Sequence, residues 1–431
     1  MKGNKPVTYR KLEVFSNEND DSVDIRGGVP VLEYRESVLS PYITIDLSII
    51  DAGTASPAKD GSRGTIGLLE SIKLQADEKF KMILEDQYGN KIDLSEDTDL
   101  KVGKTSFATS NNRQSTVFIR VVSKEAYDNT ILENRMVDSY LGKGDDIIKE
   151  ALKSLKTEKD LFADTTQNDI QFNGDKRYPF EMCLDVQKVS IPVGIKSAGF
   201  LFWETSKGYN FRSLDKIFDQ TGKTIKKFVE TGFASQRVLP GYNGKILKSN
   251  FSRINDTLKQ FEDGAYNTEL DLFNPLNETL TFQTLELSTE DYEKNNTLAG
   301  LNTPVLSKDY RDKATLDLHR TKDVGHKIIP GGELADIDDT SFDIVATSQQ
   351  SLQNYRQKFS ISLNIVIDAD LSLSAGDLIF CKFPETSQKP SVTGSTKDSG
   401  IYMIADLCHY CTPTQAYTGL NLVRDSYGVK S

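Results

Sequence analysis

From Ser360 to Ile367 the odd positions, Ile361, Leu363, Ile365 and Ile367, are apolar, which places them on one face of a half-covered strand. Apolar runs at 373–379, 399–404 and 420–425 follow, separated by Gly, Asp, Ser and Pro. That punctuation predicts an antiparallel β-meander or barrel. The same two-residue period runs through 34–51, where Thr and Ile favour the pleat. It returns at 71–76, at 81–84 before the turn Tyr88-Gly89-Asn90, and at 116–122. Residues 1–125 therefore read as a first tube-like β-barrel, interrupted by a Gly/Ser/Pro/Lys loop at 53–64.

The period changes at Gly144, where Ile147, Ile148, Ala151, Leu152 and Leu155 fall on one helical face behind Asp145 and Asp146. Phe200 to Glu204 reads as a buried strand that turns at Ser206-Lys207-Gly208 into Tyr209–Arg212. Residues 126–235 thus predict an α+β block. Strand character resumes at 265–273 and 279–282 around the turn Asn274–Asn277. Residues 288–340 are polar and read as an insertion, and 348–359 as a short helix. The expected fold class is α+β, mainly β: two tube-like antiparallel β-barrels around an α+β domain, with a β-rich insertion. The second barrel is assigned 236–287 together with 341–431.

Length alone, 431 residues, predicts two to four domains. The net charge of -11 opposes a phosphate backbone, and the densest basic run, Lys223, Lys226 and Lys227, is flanked by Asp219 and Glu230. Four cysteines are too few for a disulfide scaffold in a chain of this length. The start, Met1 to Pro6, has no apolar run behind it, and no apolar stretch approaches the ~18 residues of a span. These features predict assembly in a reducing cytoplasm without a membrane anchor. A hydrophobic fraction of 37% points to much loop and polar interface.

Candidate chemistry is sparse. Gly103-Lys104-Thr105 and Gly222-Lys223-Thr224 imitate a phosphate loop, but Thr98 and Ile217 stand where its first glycine belongs. Cys408 and Cys411 flank His409 in a metal-like spacing; on a strand they face opposite ways, and structural thiols are the expectation. The pairs Asp145-Asp146, Asp338-Asp339 and Glu290-Asp291 are adjacent, so neither member can flank a bond with the other. No Gly-x-Ser-x-Gly elbow is present, and Trp203, the sole tryptophan, reads as core. No catalytic residue, cofactor site or metal site is assigned.

The order of these segments resembles the hub proteins of contractile-tailed myophage baseplates. The motif carrying this likeness runs from Gly199 to Leu214, with Phe202, Trp203, Gly208, Tyr209 and Phe211 as its marks. Asp263–Tyr266 and Phe273–Pro275 are similar to the segment that follows it in that family. The closing stretch adds Gly376-Asp377 before an apolar strand and the terminal Arg424-Asp425. The resemblance implies a non-enzymatic homotrimer in the virion tail, joining a sixfold tail tube protein to a threefold central spike protein. Surrounding baseplate wedge proteins would contact it, and phage DNA would pass without specific binding. It also implies six quasi-equivalent barrels from three chains. A related injection or secretion hub is the nearest alternative, although such hubs usually carry a β-needle and this chain stops at Ser431. A cell-wall hydrolase is the alternative from another class.

Overall fold

The computed structural model describes residues 5–18, 21–51, 56–57, 65–66, 74–96, 100–111, 114–194, 198–219, 222–230, 242–250, 267–274, 279–286, 321–328, 344–384 and 398–425. Its first part holds β1 (Thr8–Phe15), β2 (Ser22–Asp24), β3 (Val31–Ser37), β4 (Thr44–Asp51), β5 (Lys79–Glu85), β6 (Lys91–Leu94), β7 (Leu100–Asn111) and β8 (Gln114–Ser123). Alternate side chains point inward, as the period requires. Leu12 and Val14, Ile45, Leu47 and Ile49, Phe80, Met82 and Leu84, and Val117, Ile119 and Val121 share one core.

The middle block comprises α1 (Lys124–Asp128), β9 (Ser139–Lys143), α2 (Gly144–Ser154), β10 (Leu161–Ala163), β11 (Asp169–Asn173), α3 (Pro179–Val189), β12 (Phe200–Thr205), β13 (Gly208–Ser213) and α4 (Leu214–Phe218). Helix α2 buries Ile147, Ile148, Ala151 and Leu152, with Asp145 and Asp146 at its positive end and Lys153 at its negative end. Pro179 starts α3, where its missing N–H costs nothing. Helix α3 packs on α2 and on the aromatic hairpin β12–β13, and all share a separate core that includes Phe202, Tyr209 and Phe211.

The last part contains β14 (Lys226–Glu230), β15 (Lys245–Asn250), β16 (Asn267–Asn274), β17 (Thr279–Glu286), β18 (Thr321–Ile328), α5 (Ile344–Lys358), β19 (Ile361–Asp368), β20 (Leu378–Lys382), β21 (Gly400–Cys411) and β22 (Ala416–Arg424). One sheet threads both ends of the chain in the order β2-β1-β5-β7-β8-β4-β3-β21-β20-β14-β15-β19-β22, and β22 pairs back onto β21. The second barrel is thereby a closed ring of β14, β20, β21, β22, β19 and β15.

The two ends are topological copies. If β1, β3, β4, β5, β7 and β8 are counted one to six, and β14, β15, β19, β20, β21 and β22 likewise, each set has the spatial order 1-4-5-6-3-2. The copying extends to single hydrogen bonds. Strands β7 and β21 share a bulge against their hairpin partners, with Gly103 and Ala405 as the extra residues. Beside the bulge, Val102 donates its N–H to Glu78 O at 2.8 Å and accepts at its carbonyl O from Asp77 N–H at 2.7 Å. Ile404 does the same with Asp377 O at 2.9 Å and Gly376 N–H at 2.8 Å. Asp77 and Gly376, the twin turn residues, have φ of +73° and +91°.

The copies differ at their first strand. Whereas β1 runs antiparallel to β5, β14 runs parallel to both β20 and β15. Among the described residues no ladder joins β3 to β1; there Ile25 N–H donates to Leu12 O at 3.0 Å. The boundaries read from the sequence also move. Residues 226–230, assigned to the α+β block, enter the second barrel because Phe228 fills its core. Among the described residues of 236–287 only β15 lies in that ring; β16 and β17 form a separate three-stranded sheet with β18, which falls inside the supposed insertion. Most of 288–340 and of 53–64 lies outside the described residues.

Candidate assembly interface

The two barrels meet where β3 lies antiparallel on β21, with Ser37 opposite Asp406, Arg35 opposite Cys408 and Leu32 opposite Cys411. The inner side of this joint is buried. Tyr34 and His409 stack at 5.8 Å between ring centroids, and His409 Nδ1 lies 2.8 Å from Thr418 Oγ1. Burial holds His409 down to about 4, so it is neutral at physiological pH. On the outer side Asp406 accepts from Ser37 Oγ at 2.5 Å and from Asn421 Nδ2 at 2.7 Å.

Of the motif residues, Phe202 and Trp203 leave β12 in opposite directions. Phe202 stacks on Tyr209 at 5.6 Å in the block's core, with Phe211 alongside. Trp203 points into the joint with the second barrel, among Ala375, Leu378, Met403 and Val423. Its Nε1 donates to Ala375 O at 3.1 Å, and a Cβ on Gly376 would lie 2.5 Å from its ring. Two motifs 173 positions apart therefore form one contact. Gly208 is needed for close approach, since a Cβ there would sit 2.4 Å from Asp160 O. Asp377 Oδ2 accepts from Ser374 N–H at 2.9 Å and closes the Gly376 turn; burial raises its carboxyl. Arg424 and Asp425 are brought to a different place. The buried Arg424 guanidinium covers the Tyr402 ring at 4.5 Å, and Asp425 O accepts from Ser360 Oγ at 2.8 Å.

Two buried glutamates that sequence reasoning passed over pin the block to the barrels. Glu36, on β3, accepts from Tyr34 O–H at 2.6 Å, Ser206 N–H at 2.9 Å and Ala375 N–H at 2.9 Å, linking three segments. Glu204, on β12, accepts from Ile43 N–H at 3.0 Å, from Ser123 Oγ, and from Lys159 Nζ at 2.8 Å. Lys159 also reaches Glu125 at 2.6 Å. Burial alone would lower Lys159, but the two carboxylates outweigh it and raise it. The only legible signal was an acidic residue at an inward-facing place in an alternating run.

Burial pushes Glu36 up to about 7, against the pull of its three donors. The folded chain then holds this proton more tightly than the unfolded chain, so stability falls as pH rises from the ordinary 4.5 towards 7 and levels off above. The expected contribution between those limits is about 3 kcal/mol. Denaturant unfolding at pH 5 and pH 8 should show Glu36→Gln losing much of that dependence. Equal pH slopes in both proteins would remove the assignment.

Cys408 is half-buried and Cys411 fully buried, on opposite faces of β21, and both are free thiols. Burial raises them to about 11 and about 12. Among the described residues no three His, Cys, Asp or Glu converge on a metal position. Cys408→Ser should therefore leave thermal stability and oligomeric state unchanged; loss of assembly in light scattering would revive a ligand role. Beside Trp203 a cleft of about 610 Å³ runs between the block and the second barrel, lined by Lys207, Arg212, Lys223, Lys226 and Asp377. Lys223 and Lys226 serve structure there. Lys223 Nζ donates to Ile217 O at 2.7 Å and Lys226 Nζ to Asp370 Oδ2 at 2.6 Å.

The first barrel's twin of the joint is open. Strand β7 pairs with β5 only at Leu100 and Lys101, so from Lys104 onward its outer edge has no strand partner among the described residues. Phe107 on this stretch is 57% exposed.

No protein-family model matches the chain, and no curated protein matches it either. Solved structures do. The tail protein from Neisseria meningitidis MC58 covers 96% of this chain and 96% of its own, with a TM-score of 0.53 at 9% identity. The 43 kDa tail protein of prophage MuSo2 from Shewanella oneidensis covers 96% and 98%, with a TM-score of 0.50 at 8% identity. A type VI secretion component from E. coli, described as similar to T4 bacteriophage tail proteins, covers 99% and 79%, with a TM-score of 0.41 at 10% identity. The chain thus has a phage tail protein fold. Its structural neighbours are consistent with the hub resemblance carried by the Gly199–Leu214 motif.

Proposed function

We propose that this protein is the structural baseplate hub of a contractile phage tail, a homotrimeric adaptor between a sixfold tail tube and a threefold central spike. One observation carries the reading: two barrels of the same 1-4-5-6-3-2 order, joined side by side through β3 and β21 in a single chain. Three such chains offer six like modules on one rim and three on the other, which reconciles the two symmetries. The shared tail-protein fold supports the same assignment. On this reading the chain works in the virion, contacts tube, spike and wedge proteins, and catalyses nothing. Its net charge of -11 suits a passage that DNA crosses without being held.

The test is the purified protein's mass by light scattering at micromolar concentration, together with particle images. A three-chain annulus is expected, and a monomer throughout would overturn the proposal. The hub of a related injection or secretion system shares this geometry, and binding to a tail tube against a secretion tube separates the two. The hydrolase reading predicts clearing of peptidoglycan in a zymogram, which the hub reading does not.

A further inference from the structure

We infer that the cleft between the α+β block and the second barrel is a docking site for an acidic peptide segment of another protein. The segment also carries apolar side chains, which rest on Phe162, while its carboxylates meet Lys207, Arg212 and Lys223. Such a site stands whether or not the chain is a hub.

The floor of the cleft follows from the register of the three-stranded sheet β10-β13-β12. Phe162, Asn210 and Trp203 stand opposite one another across it, and all three face the cleft. Their neighbours Phe202, Tyr209 and Phe211 point the other way, into the block's own core. One face of the sheet is thus filled by this chain, and the other only in part. Trp203 is closed over by the Gly376 turn and is 3% exposed, whereas Phe162, two strands away at the sheet's edge, is 42% exposed. The space beside them, about 610 Å³, lies within the range of ligand pockets.

Charge selects the occupant. The chain carries -11 overall, yet four cations line this cleft against one carboxylate, Asp377. Arg212 is paired with Asp164 at 3.1 Å and Lys226 with Asp370 at 2.6 Å. Lys207 and Lys223 make no ion pair among the described residues, and Lys223 Nζ meets only the carbonyl oxygens of Lys216 and Ile217. Loss of water and the Arg212 guanidinium hold Lys223 below the ordinary lysine value in spite of Asp219, Asp164 and Asp377 nearby. An incoming carboxylate therefore stabilises a poorly compensated cation. An acidic segment is repelled by most of this protein and attracted here. The cations are also spread out. Lys207 stands at the turn before β13 and Arg212 near that strand's far end, so their backbone positions lie roughly 16 Å apart. One phosphate or carboxylate cannot serve both ends, but an extended peptide of about five residues can, since it advances at the same rise. A nucleic acid strand has the charge but meets repulsion at every phosphate beyond the cleft.

The experiment is a titration of the full chain at low salt with a capped hexapeptide alternating glutamate and leucine, followed by calorimetry and by the fluorescence of Trp203, whose ring lines the cleft. Saturable binding is expected, weakened about tenfold or more when glutamines replace the glutamates. Lys207→Glu and Phe162→Ser should each weaken it by a similar factor with melting unchanged, since both side chains are exposed. Lys104→Glu, an equal change of charge on the first barrel, should leave the affinity as it was. Three results overturn the site: no saturable signal, equal affinity for the glutamine peptide, or binding indifferent to both Lys207→Glu and Phe162→Ser. Tighter binding of inorganic pyrophosphate reassigns the cleft to a free anion, and tighter binding of a thymidine hexanucleotide reassigns it to nucleic acid; either overturns the peptide occupant. Oligomer mass is read separately by light scattering, so this site and the hub reading fail independently.

Discussion

Gly376→Val is expected to destabilise the fold by on the order of 3 kcal/mol or more, through two costs that act together. The first is conformational: φ at this position is +91°, where a β-branched residue is a genuine outlier. The second is steric, because a Cβ would lie 2.5 Å from the Trp203 ring, which is itself held by its bond to Ala375 O. Neither partner can move cheaply. Thermal unfolding followed by the fluorescence of the single tryptophan reads both the loss of stability and the displaced ring. Gly376→Ala should cost less than valine, and adding Trp203→Leu should recover part of it, since the two positions share one contact. At the twin turn Asp77 has φ of +73°, so Asp77→Gly is expected to be neutral or slightly stabilising. A valine variant that melts with the parent would show that Trp203 does not close on this turn.

Lys159→Met carries the other large effect, about 3–5 kcal/mol, because it leaves Glu204 and Glu125 in the interior without their shared cation. Both side chains are almost wholly buried, and the lysine itself is only 12% exposed. The loss should depend on pH in a defined direction. Burial holds Glu204 above its ordinary range even beside the lysine, so without that cation the folded state takes up a proton that the unfolded state does not. The variant's deficit is then largest at neutral pH and shrinks as pH falls towards the carboxylate range. Denaturant midpoints of parent and variant at pH 5 and pH 7.5 measure it. A deficit that is the same at both values would mean that it arises from packing and that the ion pairs contribute little.

Much of the architecture was legible because it is local. Alternation at Ile361–Ile367 and Thr44–Ile50, the helical spacing from Ile147 to Leu155, and the aromatic hairpin around Gly208 each follow from one stretch of chain. Their order along the chain also suggested the duplication. The boundaries were less legible, because β14 and β16 have similar strand-like composition, yet only β14 enters the ring. Membership of a sheet is decided by distant partners. Glu36 and Glu204 were passed over for a related reason: a carboxylate among apolar residues shows its purpose only when the donors around it are known. Those donors come from Tyr34, Ser206 and Ala375 in one case and from Ile43, Ser123 and Lys159 in the other.

By itself the sequence determined the period of each element, the turns between them, and the presence of strand-rich ends around an α+β centre. These depend on which residues stand within a few places of one another, and side-chain chemistry at that range sets strand or helix. Only the tertiary structure decided that the two ends share one strand order, that Trp203 meets Gly376, and that β3 closes on β21 while the matching edge of β7 stays open. Those outcomes depend on pairings across hundreds of residues. The hydrogen-bonding groups of a strand edge are the same on every strand, so register and partner are settled by which cores can be filled together.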